Sequence, residues 1–177
     1  MLLRLSESID WVNDKLGVAA NWLVLLACLI SAGNAMIRYA FDLSSNAWLE
    51  VQWYMFAGIV MFGASYTLRR NEHVRVDILY LRLSERGQLW VDLLGTIVFL
   101  VPVCVMLVWL SWSFFLYSFI SDEQSSNAGG LLRWPAKLTL PAGFALVTLQ
   151  GLSEIIKRMA AIRGYVQFES RYAPPAQ

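Results

Sequence analysis

Four stretches of the chain carry no charged residue: positions 16–37, 51–68, 93–121 and 138–153. A helix that crosses a membrane needs about 20 mostly apolar residues, each rising about 1.5 Å. The first and third stretches meet that length as they stand. The second meets it if the helix begins near Ala47 and takes Glu50 into its first turn. The fourth does so if it continues through Ile155 and Ile156, with Lys157 snorkelling at its end. Pro141 then falls near the start of this helix, where a missing N–H has no intrahelical partner to lose. The pattern predicts an all-α membrane protein with four transmembrane helices, over about 16–39, 47–69, 87–121 and 137–158, in a tilted bundle. Residues 1–160 form a single domain, and 161–177 a tail.

Polar segments between these runs add detail. Leu2, Leu5, Ile9 and Val12 share one helical face, with Glu7, Asp10 and Asp14 elsewhere. That spacing predicts a short N-terminal amphipathic helix lying on the membrane surface, or against protein. The apolar run behind it is too long for the core of a cleaved signal, which is about 7–15 residues, so it is expected to persist as a helix. Residues 77–83 suggest a second interfacial segment, and Ser84 suits the N-cap of the third helix. A single helix over 89–120 would be about 48 Å long, against a hydrocarbon core of about 30 Å. Tilt or projection beyond the bilayer follows. Its aromatic end, around Trp109, Trp112 and Tyr117, suits an interface belt.

Composition agrees with lipid: 58% of residues are hydrophobic, only 15% charged, and mean hydropathy is +0.52. The placement of charge also sets an orientation. Of the 14 Lys and Arg, only Arg38, Arg133 and Lys137 fall on one side. The positive-inside rule puts the other side, with both termini, in the cytoplasm of a bacterial cell bounded by this inner membrane. A net charge of +1 suggests no nucleic acid. Cys28 and Cys104 lie within apolar runs, which reads as packing rather than a disulfide. His73 is the one histidine, too few for a paired haem site. No cluster has metal-ligand spacing, and there is no Walker loop or nucleophile–base pair. No enzyme and no cofactor are expected.

Three constellations remain. Asn34 and Arg38 lie four apart on one face, and Arg38 could clasp Glu50 across the short turn between helices one and two. An ordinary interfacial charge is the equal alternative for Glu50. After helix two, Arg69, Arg70, His73, Arg75 and Asp77 make a dense polar segment, either a positive-inside anchor or a hydrogen-bonded docking turn. On helix one, Ala27, Ser31 and Ala35 form a small-residue stripe of the kind that lets helices approach closely in lipid.

The run from Asn34 through Arg38 to Phe41, then Trp48 and Glu50, then Gly63 through Arg70 and His73 to Asp77, resembles the DctQ family. These are small membrane subunits of tripartite ATP-independent periplasmic (TRAP) transporters. The stretch from Leu131 through Pro135 and Pro141 to Phe144 resembles the family's entry to the fourth helix. The resemblance implies a large membrane subunit (DctM-like) with the substrate and sodium sites, and a periplasmic substrate-binding protein delivering an organic anion. The small subunit is then a scaffold among membrane lipids. The family often has two adjacent acids after the tryptophan, where this chain has Leu49 and Glu50. Asn34, Arg38, Trp48, Glu50, Arg70, His73, Arg75 and Asp77 become the candidate interface residues. A rival reading is a small homodimeric proton-coupled exporter using Glu50, which requires that acid at mid-helix beside a cavity.

Overall fold

A computed structural model describes residues 2–43, 45–73 and 80–165. It is all-helical: α1 (Leu2–Phe41), α2 (Asn46–Arg70), a 3-10 turn (Tyr80–Arg82), α3 (Glu85–Gly95), a π-turn (Thr96–Leu100), α4 (Val101–Ile120) and α5 (Trp134–Ile162). α3, the π-turn and α4 form one continuous helical rod, Glu85–Ile120. α5 packs against α1, α2, α3 and α4, and α1 and α2 also pack against each other.

Among the described residues, three helices are long and apolar enough to cross a membrane: Leu2–Phe41, Glu85–Ile120 and Trp134–Ile162. α2 has 25 residues, which is ample length. Its hydropathy is diluted by Gln52, Trp53, Tyr54, Ser65 and Tyr66.

The ends of the helices follow local chemistry. α2 stops at Asn71, which takes a left-handed conformation (φ 57°, ψ 34°). The N–H of Asn71 bonds Leu68 O at 3.2 Å and that of Glu72 bonds Thr67 O at 3.2 Å, a Schellman ending. Ser84 caps α3 as its sequence position suggested, its Oγ accepting from Gly87 N at 3.3 Å. The π-turn comes just before Pro102, whose ring removes one N–H from the ladder, and Val101 N–H reaches back to Thr96 O. α5 begins earlier than its apolar run, with Pro135 in the first turn. Pro141 is therefore inside the helix and buried, not at its start.

The expected separate N-terminal interfacial helix is absent. Residues 2–15 are the opening turns of one 40-residue helix, about 60 Å long at a rise of about 1.5 Å per residue. The reason lies on its polar side. Ser6 and Asn13 are buried against α5, while Leu2, Leu5 and Val12 face outward. Polar pairing between helices holds the segment, not apolar contact with a surface.

The same inversion runs through the molecule. Buried polar residues include Asn13, Ser65, Ser118, Gln150 and Ser153, whereas the buried apolar side chains described are Ala20, Ala27, Leu89, Leu93, Cys104 and Phe115. Trp22, Trp53, Val60, Phe99, Trp109 and Ile120 are exposed. In lipid, apolar burial between helices supplies little drive, so small residues and hydrogen bonds make the contacts. Gly17 shows this: a Cβ there would lie 2.4 Å from the Tyr66 ring. At Gly143 it would lie 2.5 Å from Met61 Cβ.

Candidate functional site

Polar groups gather at the two ends of the bundle. One end, which we term the charged end, holds the start of α1, the end of α2, α3 and the end of α5. Asp10 is at its centre. It accepts from Ser153 Oγ (2.8 Å) and Gln150 Nε2 (3.1 Å) and pairs with Lys157 Nζ (2.6 Å) and Arg69 Nε (3.6 Å). Arg69 also pairs with Asp14. Gln150 Oε1 accepts from Asn13 Nδ2 at 2.7 Å, and Ser153 Oγ donates to Ser6 O at 3.3 Å. Arg158 bridges Glu154 (2.9 Å) and Asp92 on α3 (3.4 Å), and Tyr80 Oη donates to Asp92 at 3.0 Å. Lys157, expected to snorkel, is instead tied to Asp10 and, at 2.9 Å, to Glu154.

This network went unread in the sequence, although a signal was there. On α5, Gln150, Ser153, Glu154, Lys157 and Arg158 have the spacing of one helical face. On α1, Ser6, Asp10, Asn13 and Asp14 have it too.

The other end, which we term the loop end, is built differently. Residues 123–133 fold back as a small hairpin, with Ser125 N bonded to Leu131 O (3.0 Å) and Arg133 N to Glu123 O (2.8 Å). Three side chains on one face of α2 hold it, at the i, i+4, i+8 spacing of a helix. Asn46 Nδ2 donates to Ala128 O at 3.0 Å, and Tyr54 Oη donates to Leu132 O at 2.9 Å. Between them the Glu50 carboxylate accepts from Leu131 N (2.7 Å), Asn127 Nδ2 (2.9 Å) and Ser125 Oγ. Glu50 is thereby buried. At the hairpin's root, Glu123 pairs with Lys137 and, at 3.4 Å, with Arg133. The hydrogen bond from Lys137, with its charge, holds the Glu123 carboxyl below the usual carboxylate range.

The clasp expected between Arg38 and Glu50 is not made. Glu50 turns to the hairpin because an N–H and two side-chain donors sit within reach there, whereas Arg38 lies across a groove. That groove, about 600 Å³, runs between the ends of α1 and α2 and is lined by Ser31, Asn34, Ala35, Arg38, Tyr39, Asp42, Leu49 and Gln52. Of the expected small-residue stripe, Ala27 is buried while Ser31 and Ala35 open onto this groove. The close approach of α1 runs instead through Asn13, Gly17, Ala20 and Ala27.

The remaining candidates are dispersed. Trp48 is exposed. Arg70 stacks over the Tyr66 ring, 5.3 Å from its centroid. His73 is exposed at the charged end, beside a groove of about 620 Å³ that it lines with Tyr80, Asp92, Arg158 and apolar residues of the α3–α4 rod. Arg75 and Asp77, with residues 77–79 of the 77–83 segment, lie outside the described residues. Among the described residues no group of His, Cys, Asp and Glu could hold a metal ion.

A family model described as "Tripartite ATP-independent periplasmic transporters, DctQ component" matches residues 27–161. The chain belongs to the DctQ family. Among curated proteins it is similar to a candidate TRAP transporter small permease protein of Haemophilus influenzae, 24% identical over 102 residues. That match covers 58% of this chain and 63% of the relative, so it spans less than two thirds of the relative's length. No solved structure matches. The DctQ match takes in the hairpin, both grooves' main walls and the α5 half of the charged network, but begins after Asp10, Asn13 and Asp14. With three apolar helices of spanning length, this DctQ protein is a multi-pass membrane protein and a component of a transporter.

Proposed function

We propose that this small permease subunit is a scaffold. It supports sodium-driven uptake of an organic anion, a carboxylate or sulfonate, by a large DctM-like membrane subunit supplied by a periplasmic substrate-binding protein. In this reading all four long helices cross the bacterial inner membrane. α2 is included because its 25 residues give about 37 Å of length, and no charge lies between Glu50 and Arg69. The positive-inside rule favours a cytoplasmic charged end, with both termini inside, and a periplasmic hairpin.

One observation carries the scaffold reading. The charged side chains of the described residues sit at the two ends, and the helix middles present apolar surface outward. A charged solute finds no partner along such a path, whereas a second membrane subunit finds wide apolar surface. The exporter reading required a mid-helix acid facing a cavity. Glu50 instead sits near the start of α2, its fifth residue, with its oxygens engaged by the hairpin.

Affinity purification of the tagged chain from its native membrane in mild detergent, with mass spectrometry of the intact complex, tests this. A stoichiometric, much larger hydrophobic partner is expected. A homodimer that alone drives proton-coupled efflux in liposomes would sink the reading.

A further inference from the structure

The groove between the ends of α1 and α2 has chemistry that the scaffold reading leaves unused. Arg38 enters it from α1, one turn after Asn34, and no described residue pairs with the guanidinium. Gln52 enters from α2, and its Nε2 is buried without a hydrogen-bond partner. Asp42 stands at the mouth, turned off the helix by a φ of 53°, and it too has no partner for its carboxylate. Arg38 and Asp42 line one groove yet form no ion pair with each other. A buried donor left unsatisfied costs stability, so the Gln52 amide points to an acceptor supplied from outside the chain.

We infer that this groove binds the headgroup of a zwitterionic phospholipid carrying a primary ammonium group. The phosphate sits against the Arg38 guanidinium and the amides of Asn34 and Gln52, whose NH groups can all donate to its oxygens. The ammonium meets the Asp42 carboxylate. The position fits as well. The groove lies where the apolar run of α1 ends, at headgroup level, and it is flanked by exposed Ile37, Trp48 and Trp53, with Leu49 in its wall. An acidic helix of another protein would satisfy Arg38 but leave Asp42 facing a like charge. The presence of both signs in one groove therefore favours the lipid.

The test is lipid titration of the purified full-length chain by native mass spectrometry, with phosphatidylethanolamine and phosphatidylglycerol as the two probes. The wild-type chain is expected to hold one phosphatidylethanolamine in preference to phosphatidylglycerol. Arg38→Gln should weaken both lipids about tenfold, the loss of one charge-assisted contact, and Arg38→Lys should restore part of the binding. Asp42→Asn should abolish the preference between the two while leaving phosphatidylglycerol binding unchanged. These residues lie at an exposed rim, so helical circular dichroism and melting of the variants should match wild type. Equal binding of both lipids by the wild-type chain would overturn the inference, as would Arg38→Gln leaving phosphatidylethanolamine bound as before. So would a photoreactive residue at Ser31 that, in the native membrane, cross-links to a polypeptide and never to lipid.

Discussion

At the charged end, side chains of four helices meet one another directly; at the loop end, three side chains of a single helix hold the backbone of a hairpin. The first arrangement joins Asp10, Arg69, Asp92, Lys157 and Arg158 across α1, α2, α3 and α5. The second places Asn46, Glu50 and Tyr54 of α2 against Ala128, Leu131 and Leu132. The difference sets what each can control. A network of ions between helices fixes how the helices pack, and loss of one member strands its neighbours. A row of bonds to a loop fixes only the loop.

Arg158→Leu should have the largest effect. Arg158 is 9% exposed at its side chain and Asp92 11%. Removing the shared cation leaves Asp92 and Glu154 buried near each other, a loss of about 3–5 kcal/mol, read as thermal unfolding of the purified chain in detergent. Unchanged melting would mean that the charged end does not govern packing. Next comes Gly143→Val, at the crossing of α2 and α5. A Cβ there lies 3.0 Å from the Met61 carbonyl oxygen, a backbone atom that cannot swing aside. Prying the helices apart should cost about 1–3 kcal/mol and loosen both ends together, visible as faster hydrogen exchange at each.

Glu50→Gln addresses the loop end alone. The charge that gathers three donors is lost, so the Leu131 amide should exchange faster and the hairpin become open to protease, with melting nearly unchanged. A large drop in melting temperature would erase the distinction between the two ends. Acid provides a finer probe. The folded Glu123 carboxyl titrates below its unfolded value, about 4.3. Its contribution is therefore complete above that value and disappears as pH falls through the lower folded one. The protection of the hairpin amides, with the intrinsic pH dependence of exchange divided out, should stay flat from about pH 8 to 5 on this account and fall only below about pH 4. Tyr54→Phe should do least, about 0.5 kcal/mol, because the Leu132 carbonyl it releases is exposed enough to find water.

The approximate positions of the long helices were legible in the sequence from its charge-free runs, but the full length of α1 and the early start of α5 were not. The Ser84 cap, a local feature, was also legible. What was hidden is long-range pairing. Asn13 and Gln150 are 137 positions apart, and neither residue alone says that it will be buried. Their helical spacing carried the message, but apolar residues on the opposite face of α1 suggested a surface helix instead. In the structure that face is left exposed, and the polar face packs against α5. For Glu50 the sequence offered a clasp with Arg38 or an ordinary interfacial charge, and the structure pairs it with the hairpin instead. Arg38 was the nearest opposite charge along the chain, whereas the donors that satisfy Glu50 come from residues about eighty positions later.

The continuous first helix also has a consequence for biosynthesis. The groups that Ser6, Asp10 and Asn13 require lie on α5, 147, 140 and 137 residues downstream. Chains emerge N-terminus first, at about 5–20 residues per second. α1 thus pairs first with α2, through Arg69, and completes its pairing only when α5 has been made. A nascent chain stopped before Gln150 would leave Asp10 with Arg69 but without Gln150, Ser153 and Lys157, and the Asn13 amide without Gln150. Completion of the charged end is in that sense timed by the arrival of α5.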